Sequence, residues 1–468
     1  MRLVQDVTTD LSLANSSLKS PLTRLKVYPR LRLHISFADL AASLYSFLYF
    51  PNREQLIRDI QLDWQGNREG LEPQYNNVKK LLPKPGFKSG WDKPIDDCSE
   101  VLVTLSVRTA LDLLLQSLKL PAGSEVLMSA VNIRDMVEVV KRHGLVPIPV
   151  DISLDTLAPD LKLLESLISE KSKVLIVAHL FGSIINLKPY TKLCKKYQIF
   201  LVEDCAQAFA GDKYHGSKDA DVSLFSFGPI KSCTALGGAI AVIRERSLAQ
   251  QMRDIDRQYP CKSESWFFKR ILKYFCLKLF SIPWLYYHLL VFLKYLGKNL
   301  DSVINSMTRG FSQGDILAKI RYRPPTQMLV LLRRRLRNCN PQWFERRSKN
   351  ARKFLSLLKP EITCPGSKTE YNSFWVVPIL VSNPPSVMAK LREYGFDATQ
   401  GNTSLTFIDN ASSGDKPTKG SVNAQRLIQY VLYLPVSESL PENDLVCLAQ
   451  LINEFHEACP MTAKMPDD

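Results

Sequence analysis

The sequence predicts an α/β protein with a largely parallel sheet, followed by a smaller α/β domain. From Val101 onward, short continuous apolar runs alternate with helical patterns of about ten residues. Such runs are typical of strands that helices cover on both faces, and the sites of these sheets lie at the carboxyl ends of the strands. The 468 residues are 45% apolar and 23% charged, which supplies cores for about two to three domains. This composition excludes a disordered tail, a collagen-like repeat and a coiled coil.

The elements of the first domain follow one another between Val101 and Ile243. The apolar runs predict strands at Val101–Leu105, Glu125–Met128, Val146–Val150, Lys173–Ala178, Ile199–Glu203, Val222–Ser226 and Gly238–Ile243. Helical patterns lie between them at Ala110–Leu118, Asp135–His143, Leu161–Ile168 and Pro189–Tyr197. We therefore predict a large domain at residues 98–320.

The pattern breaks for about 70 residues after Arg244. It resumes with a basic helix at Met328–Asn338 and a second helix that ends at Leu358. The remaining predicted elements are a strand at Phe374–Val381, a helix at Val387–Tyr394, a strand at Val431–Pro435 and a helix at Glu442–Glu454. We expect an N-terminal extension at residues 1–97, polar and loop-like from Asn52, a basic apolar insertion at about 258–312, and linking helices with a small domain at 321–468.

The positive charge lies in one stretch. The chain has a net charge of +15, and residues 266–353 hold 19 Lys or Arg against three acids, a net charge of +16. Localised charge predicts a partner surface. Nucleic acid is the partner least favoured for Arg333–Arg335 and Arg346–Arg347, since no DNA- or RNA-binding motif accompanies them.

The stretch at residues 266–299 suggests a membrane surface. Fifteen mostly apolar residues lie between Lys278 and Lys294, fewer than the roughly 20 that a spanning helix needs. With basic flanks and aromatic residues, the segment suits the interface of an anionic membrane, which predicts monotopic, peripheral attachment. The alternative is that its apolar face packs against the large domain or a partner subunit.

The ten cysteines are too dilute for a disulfide scaffold, and no pair has C-x-x-C spacing. We predict no metal site. A reducing compartment is expected, hence a cytoplasmic location with peripheral attachment to the inner face of a membrane.

One constellation carries chemistry. Asp204 and Gln207 follow a buried strand, and Lys231 lies five positions after Ser226 at the end of another predicted strand. Pyridoxal phosphate needs a lysine for its aldehyde and an acid that keeps its ring nitrogen protonated. A lysine and a buried carboxylate at neighbouring strand ends suit that cofactor.

The sequence resembles the DegT/DnrJ/EryC1/StrS aminotransferases. The resemblance rests on Glu203-Asp204-Cys205-Ala206-Gln207, Ser226-Phe227 with Lys231, and Gly237-Gly238, with support from Ser106–Leu111, Asp151 and His179–Gly182. It covers the chain from about Val101 to Glu454, interrupted near residues 250–320. The resemblance implies the type I fold of pyridoxal-phosphate transferases, with a mostly parallel, seven-stranded-type sheet, and transfer of an amino group from Glu or Gln to a keto acceptor. The acceptor would be a keto sugar linked to a nucleotide or a lipid.

The resemblance also implies roles for single residues. Lys231 resembles the Schiff-base lysine and proton shuttle, and Asp204 resembles the partner of the pyridinium nitrogen. The structural alternatives are that Lys231 is a surface lysine in a loop and that Asp204 is a helix N-cap. Gln207 matches a residue that lies against the ring near its phenolic oxygen. Ser226 matches a phosphate ligand.

Other positions match less closely. Ser106, Arg108 and Thr109 open a helix and would hold the phosphate, although Val107 and Arg108 depart from the commoner S-G-T form. Ile133 or Asn132 stands where many relatives stack an aromatic ring on the cofactor. His179 and His215 are as readily structural as catalytic.

Tyr322-Arg323 resembles a pair that a neighbouring subunit lends to the active site, which implies a homodimer. The alternative is a pair that docks on its own domain. Two other functions stay open: another pyridoxal-phosphate reaction (a dehydratase or an acyl-condensing synthase), and a non-catalytic membrane-associated scaffold or regulator.

Overall fold

The computed structural model describes residues 27–30, 33–49, 51–65, 99–211, 213–295, 314–401, 405–408 and 421–458. Its strands are β1 (Glu100–Thr104), β2 (Glu125–Ser129), β3 (Val131–Ile133), β4 (Val146–Val150), β5 (Ser172–Ala178), β6 (Ser183–Ile184), β7 (Phe200–Asp204), β8 (Val222–Ser226), β9 (Ala239–Ile243), β10 (Tyr371–Asn372), β11 (Val377–Leu380), β12 (Leu405–Phe407) and β13 (Val431–Leu434).

The helices of the described residues alternate with these strands. They are α1 (Phe37–Tyr45), α2 (Arg53–Gln65), α3 (Val107–Leu118), α4 (Arg134–Arg142), α5 (Leu161–Leu167), α6 (Lys188–Tyr197), α7 (Arg246–Gln258), α8 (Glu264–Phe280), α9 (Pro283–Tyr295), α10 (Ile316–Ile320), α11 (Thr326–Arg337), α12 (Pro341–Ser356), α13 (Pro384–Glu393), α14 (Val422–Tyr430) and α15 (Glu442–Ala458). A short 3-10 turn at Ser46–Leu48 follows α1.

A seven-stranded sheet in the order β1-β9-β8-β7-β5-β2-β4 forms the large domain. The pairs β4–β2, β2–β5, β5–β7 and β7–β8 are parallel, whereas β9 runs antiparallel to both of its neighbours. The predicted α/β class and the mostly parallel seven-stranded sheet are thus confirmed. In register, Ala178 lies opposite Asp204 and Asp204 opposite Leu224, so the carboxyl ends of β5, β7 and β8 meet at one edge.

Two helices lie where the sequence suggested loops. Helix α2 occupies part of the segment after Asn52, and α7 begins directly after Arg244. In α7 only Leu248, Ala249, Met252 and Asp256 are buried, so its apolar stripe is too narrow to stand out among its charged residues.

The small domain packs β11 and β13, an antiparallel pair, against α12, α13 and α15. Its first strand begins at Val377 rather than at Phe374, because residues 373–375 turn against the large domain. There Gly182 has φ +99°, and a Cβ on it would lie 2.6 Å from the amide nitrogen of Trp375 and 2.8 Å from that of Phe374. A glycine is therefore needed where the two domains touch.

The described N-terminal segment ties the domains together. Arg30 donates from Nε and Nη2 to the two carboxylate oxygens of Asp397 at 2.7 and 2.8 Å, and from Nη1 to Thr399 Oγ1 at 3.0 Å. The hydroxyl of Tyr286, on α9, donates to the same carboxylate. Burial alone would raise the pKa of Asp397, but Arg30 and these hydrogen bonds hold it below its usual value.

Four arginines of the basic stretch are paired with acids of the same chain, so the stretch carries less free charge than its net charge of +16 suggests. Asp39 on α1 binds Arg334 at 2.8 Å and Arg335 at 2.6 Å. Asp59 and Asp63 on α2 bind Arg333, and Asp63 also binds Arg337. The positive face of α11 meets these acids because α1 and α2 pack directly on it. The arginine run proposed for nucleic acid is therefore largely occupied.

Helices α8 and α9 meet at an angle of 97°. Aromatic and aliphatic side chains on them remain exposed, including Trp284 at 53%, Phe292 at 57% and Tyr295 at 87%. Among the described residues no single helix has the length and apolar character of a membrane span, although α8 and residues 283–293 of α9 meet that description as a bent pair. Residues 296–299 of the basic apolar stretch and 296–312 of the expected insertion lie outside the described residues, as do 1–26 and 66–97 of the N-terminal extension.

Replacing Asp39 with alanine should lower the free energy of unfolding by about 3 kcal/mol, because it leaves the buried Arg335 without its carboxylate. Burial raises the pKa of Asp39, but Arg335, Ser36 and Arg334 lower it below the ordinary 3.8. A depressed folded-state pKa stabilises the protein above pH 3.8 and loses that contribution as the pH falls through the folded-state value. Urea unfolding should thus show a deficit at pH 7 that shrinks in acid. In the exposed Arg142–Glu138 pair, Glu138→Ala should cost under about 0.5 kcal/mol; equal costs would contradict the assignment.

Gly182→Ala should destabilise the protein by about 3 kcal/mol, since the methyl group meets the backbone of residues 374 and 375. The matched control is Gly123→Ala. Gly123 has φ +80° but nothing within 4 Å of its Cβ position, so only backbone strain of about 1 kcal/mol is expected. Chemical unfolding measures both; a loss for Gly182→Ala no larger than the control's would show that the close approach is unimportant.

Candidate active site

The candidate site lies at the carboxyl ends of β7 and β8. Asp204 is the last residue of β7, and Ser226 is the last residue of β8. Residues 227–238 form a loop between β8 and β9, in which the amide of Phe227 donates to the carbonyl of Gly238. Gly237 packs closely on α11, where a Cβ at this position would lie 2.4 Å from the terminal methyl of Met328. The packing of this loop on α11 sets the place of Lys231.

Lys231 is half-buried. Burial lowers its pKa to about 8, with Arg108 acting in the same direction and Asp204 opposing it. Its Nζ is 4.2 Å from the ring centre of Trp375, and the indole Nε1 of Trp375 donates to the carbonyl of Ile230 at 2.9 Å. Trp375 is a site residue that the sequence analysis did not find. It lies within a short apolar run, and no neighbouring motif distinguishes it from a core residue.

Asp204 is 8% exposed, and its Oδ1 accepts a hydrogen bond from the amide of Ala206 at 2.9 Å. Burial is the largest influence and raises the pKa of Asp204, while the Ala206 amide, Lys231, His179 and Arg108 oppose it. A buried carboxylate is costly when it is ionised and unpaired, so a cation beside Asp204 would stabilise its ionised form. Asp204 and Lys231 influence each other's pKa, so their charges lie within electrostatic range of each other at this edge of the sheet.

Gln207 and His179 have definite partners. The amide of Phe181 donates to Oε1 of Gln207 at 2.9 Å. His179 accepts at Nδ1 from the amide of Ile185, and its Nε2 lies 2.7 Å from Glu203 Oε1, so Nε2 carries the proton of that bond. Burial would raise the pKa of Glu203, but hydrogen bonds from His179, Ser223 and Tyr214 lower it to about 2.

Through this network, His179 helps to fix the end of β7 by its hydrogen bond with Glu203. Its imidazole, Glu203 and Cys205 cluster within 4.8 Å, yet both ring nitrogens are already in hydrogen bonds, so the cluster offers no open ligand set for a metal. The ring of His215 packs 4.7 Å from that of Trp64. Neither histidine is placed against Lys231.

A cavity of about 250 Å³ opens at the loop that carries Lys231, although Lys231 and Asp204 are not among its lining residues. Its walls include Ser106 and Arg108 from the start of α3, and Ser226 and Gly228 from the loop after β8. Ser106 Oγ accepts from the amide of Thr109 at 3.2 Å, Ser226 Oγ accepts from the amide of Gly228 at 3.4 Å, and Arg108 pairs with Asp135 at 2.7 Å. Hydroxyls, a helix N-terminus and a guanidinium are the groups that hold a phosphate.

Three other predicted residues lie elsewhere. The hydroxyl of Thr109 is buried and donates to the carbonyl of Ile320 at 2.9 Å, so Thr109 serves the fold rather than the cavity wall. Ile133 pairs with Leu405 in the β3–β12 ribbon and packs on the core of α3. Asn132 is buried beside it.

Tyr322 and Arg323 contact their own chain. Arg323 donates from Nε to the carbonyl of Tyr259 at 3.0 Å and from its amide to Pro260 at 2.9 Å. The ring of Tyr322 lies 3.7 Å from Nζ of Lys262. These contacts agree with docking on the pair's own domain, whereas a role in a neighbouring subunit's site stays a prediction.

The residues present fit pyridoxal phosphate. Lys231 offers a buried amine, Asp204 a buried carboxylate that favours a cation, and the cavity beside them the donors for a phosphate. These three features meet at one edge of the sheet, and their spacing in the sequence had indicated the same group.

Comparisons with known proteins agree with this fit. Residues 98–270 match the model of the DegT/DnrJ/EryC1/StrS aminotransferase family. The chain is 32% identical over 142 residues to GDP-perosamine synthase of Escherichia coli O157:H7, covering 30% of this chain and 39% of that protein. It is 30% identical over 148 residues to the lipopolysaccharide biosynthesis protein RfbH of Salmonella typhimurium, covering 30% of this chain and 34% of that protein. The matches thus span between a third and two fifths of these curated relatives.

The fold similarity extends further than the sequence similarity. PseC of Helicobacter pylori, an aminotransferase involved in the biosynthesis of pseudoaminic acid, superposes with a TM-score of 0.62 at 16% identity, covering 92% of this chain and 100% of that one. The type I fold expected from the resemblance is confirmed across both domains. Residues 98–270 are thus similar to the DegT/DnrJ/EryC1/StrS aminotransferase family, and the fold of the chain agrees with that similarity.

Proposed function

We propose that the chain is a pyridoxal-phosphate-dependent aminotransferase that moves an amino group from glutamate or glutamine to a keto acceptor, a keto sugar carried on a nucleotide or a lipid. The observation that carries this proposal is the meeting of Lys231 and Asp204 at one sheet edge, beside a cavity lined by phosphate-binding groups. The sugar acceptor rests on what relatives such as GDP-perosamine synthase are named for.

When bound, pyridoxal phosphate supplies an aldehyde for amines and a ring that accepts electrons from the carbon being deprotonated. Lys231 would hold that aldehyde. With a pKa of about 8, roughly one in ten of its side chains is an uncharged amine at pH 7. In its uncharged form, the Lys231 amine can take a proton from one carbon and return it to another.

Asp204 would face the ring nitrogen of the cofactor through Oδ2, while the Ala206 amide holds Oδ1. A carboxylate there stabilises the protonated ring nitrogen. Ser106, Arg108 and Ser226 would hold the phosphate, and Gln207 would lie against the ring. Trp375 covers Lys231 Nζ and excludes water from it.

Lys231→Ala should abolish the visible absorbance of the protein-bound cofactor and all turnover, because no other amine takes its place. Lys171→Ala, at an exposed lysine, is the control.

Asp204→Asn should lower turnover by about a thousandfold while leaving the unfolding midpoint nearly unchanged, since it weakens the stabilisation of the protonated ring rather than the packing.

The rate of cofactor uptake should rise with pH and level off above about 8, where Lys231 is unprotonated.

Near-normal turnover by either variant would contradict the assigned roles. Product analysis separates the rival reactions, since a dehydratase or an acyl-condensing synthase would transfer no nitrogen. A chain that binds the cofactor and yet turns over no amino donor would favour the non-catalytic scaffold.

We further propose that this enzyme is cytoplasmic and attaches peripherally to an anionic membrane through α8 and α9. The eight cysteines among the described residues are free, which is typical of a reducing compartment. Trp284, Phe292 and Tyr295 are exposed on α9, and Lys269 and Lys273 are exposed on α8. Aromatic residues and lysines side by side suit the boundary between lipid headgroups and acyl chains.

The protein should float with anionic liposomes and stay at the bottom with neutral ones. The variant Trp284→Ser with Phe292→Ser should bind at least about tenfold more weakly, because it removes two exposed aromatic side chains. Leu161→Ser, at a leucine exposed on α5, should bind normally. A wild-type chain that stays at the bottom of every gradient defeats the membrane proposal.

We also propose a homodimer in which Tyr322 and Arg323 act in the neighbouring site. Both side chains are half-buried next to the cavity-lining Lys262, so a second copy could reach them. Inactive Lys231→Ala and Arg323→Ala subunits, mixed and reassociated, should regain about a quarter of wild-type activity, because half of the dimers contain one complete site. No recovery, or a monomer in sedimentation velocity, would favour docking on the pair's own domain.

A further inference from the structure

One wall of the cavity comes from the segment that starts at Lys262. It consists of Lys262, Trp266 and Arg270, the last two one turn apart on α8. Lys319 also lines the cavity. The sequence analysis had assigned this basic and aromatic character to a membrane surface.

The positive charge of this wall is not neutralised by acids. Among the described residues, no carboxylate pairs with Lys262 or Arg270, and no acidic residue lines the cavity. Nε of Arg270 donates to the carbonyl of Leu236, and its guanidinium carbon lies 5.1 Å from the ring centre of Trp266. Burial lowers the pKa of both Lys262 and Arg270. Half-buried cations of this kind gain most from an anion that enters the cavity.

Aromatic rings hold the two cations in place. Nζ of Lys262 lies 3.7 Å from the ring centre of Tyr322 and 5.8 Å from that of Trp266, and Arg270 also lies over Tyr274. Rings attract cations without cancelling their charge. The site is thus ordered before any ligand arrives, which lowers the entropic cost of binding.

The cavity has more room and more charge than one phosphate uses. A phosphate held by Ser106, Arg108 and Ser226 would occupy part of the roughly 250 Å³, and Arg108 already pairs with Asp135. Lys262 and Arg270 line the same cavity and are not needed for that phosphate. A guanidinium and an ammonium at one wall are the groups that bind phosphoryl oxygens.

We propose that Lys262 and Arg270 form a second anion site, beside the cofactor phosphate, that binds a phosphoryl group of the amino acceptor. The inference rests on the proposed function and adds to it the residues that recognise the acceptor.

The test is calorimetric titration of the cofactor-loaded protein with inorganic pyrophosphate. Wild type should bind it, and Lys262→Gln and Arg270→Gln should each bind about tenfold more weakly, since each removes a charge-assisted contact. Lys171→Gln, at an exposed lysine outside the cavity, is the control and should bind as wild type does. The affinity for pyridoxal phosphate, followed by absorbance, should change less than about threefold in all three variants.

Other outcomes overturn the inference. If wild type takes up the cofactor but not pyrophosphate, the second site does not exist. If the two variants lose cofactor affinity instead, the cations serve the cofactor phosphate. Displacement of pyrophosphate by an equal concentration of glutamate would make this a carboxylate site. A wild-type protein that gains no visible absorbance with pyridoxal phosphate fails the proposed function itself, which is a separate result.

Two sources could present the phosphoryl group, a soluble molecule or a lipid. Phosphatidylcholine vesicles containing phosphatidic acid should displace pyrophosphate from the wild type if the group is carried on a lipid, and should leave its binding unchanged if the ligand is soluble. Either result requires Lys262 and Arg270, and displacement that survives Arg270→Gln would contradict the site.

Discussion

The burial of Asp204 beside Lys231 is the constraint on which the site depends. A carboxylate at 8% exposure and an amine with a pKa of about 8 are both unfavourable inside a protein, and each reduces the cost of the other. The parallel register of β5, β7 and β8 fixes the acid, and the packing of residues 227–238 on α11 fixes the lysine. The protein retains two groups that would be more stable in water because their reactivity is useful in a dry site.

The sequence was informative where a strand is a continuous apolar run followed by polar residues. The strands of the sheet are continuous apolar runs, and Asp204, Gln207, Ser226 and Lys231 follow them at turns, so the fold class and the meeting of acid and lysine could be predicted. The antiparallel direction of β9 could not be predicted, because the apolar pattern of a strand does not depend on the direction in which the strand runs. Trp375 was also missed, since its position over Lys231 depends on a contact between residues 182 and 374–375 that are far apart in sequence.

The charge pattern misled for a physical reason. Counting charges along 266–353 gives a net charge of +16, but the acids that neutralise Arg333–Arg335 and Arg337 lie some 270 to 300 residues earlier, on α1 and α2. The hydroxyl of Thr109, which the sequence suggested for the phosphate, donates instead to the carbonyl of Ile320, a residue far away in sequence. Helix α2 was missed because its buried Leu56, Ile60 and Trp64 are spaced four apart within an otherwise polar run.

The N-terminal segment at residues 27–65 has a consequence for how the protein can be dissected. Its Arg30 lies in a bidentate pair with the small domain, and its Asp39 lies in a buried pair with α11. An expression fragment that begins at residue 98, where the family match begins, would leave the buried Arg335 without its carboxylate and would take the bidentate Arg30 away from Asp397. Such a fragment should therefore be less stable than the whole chain.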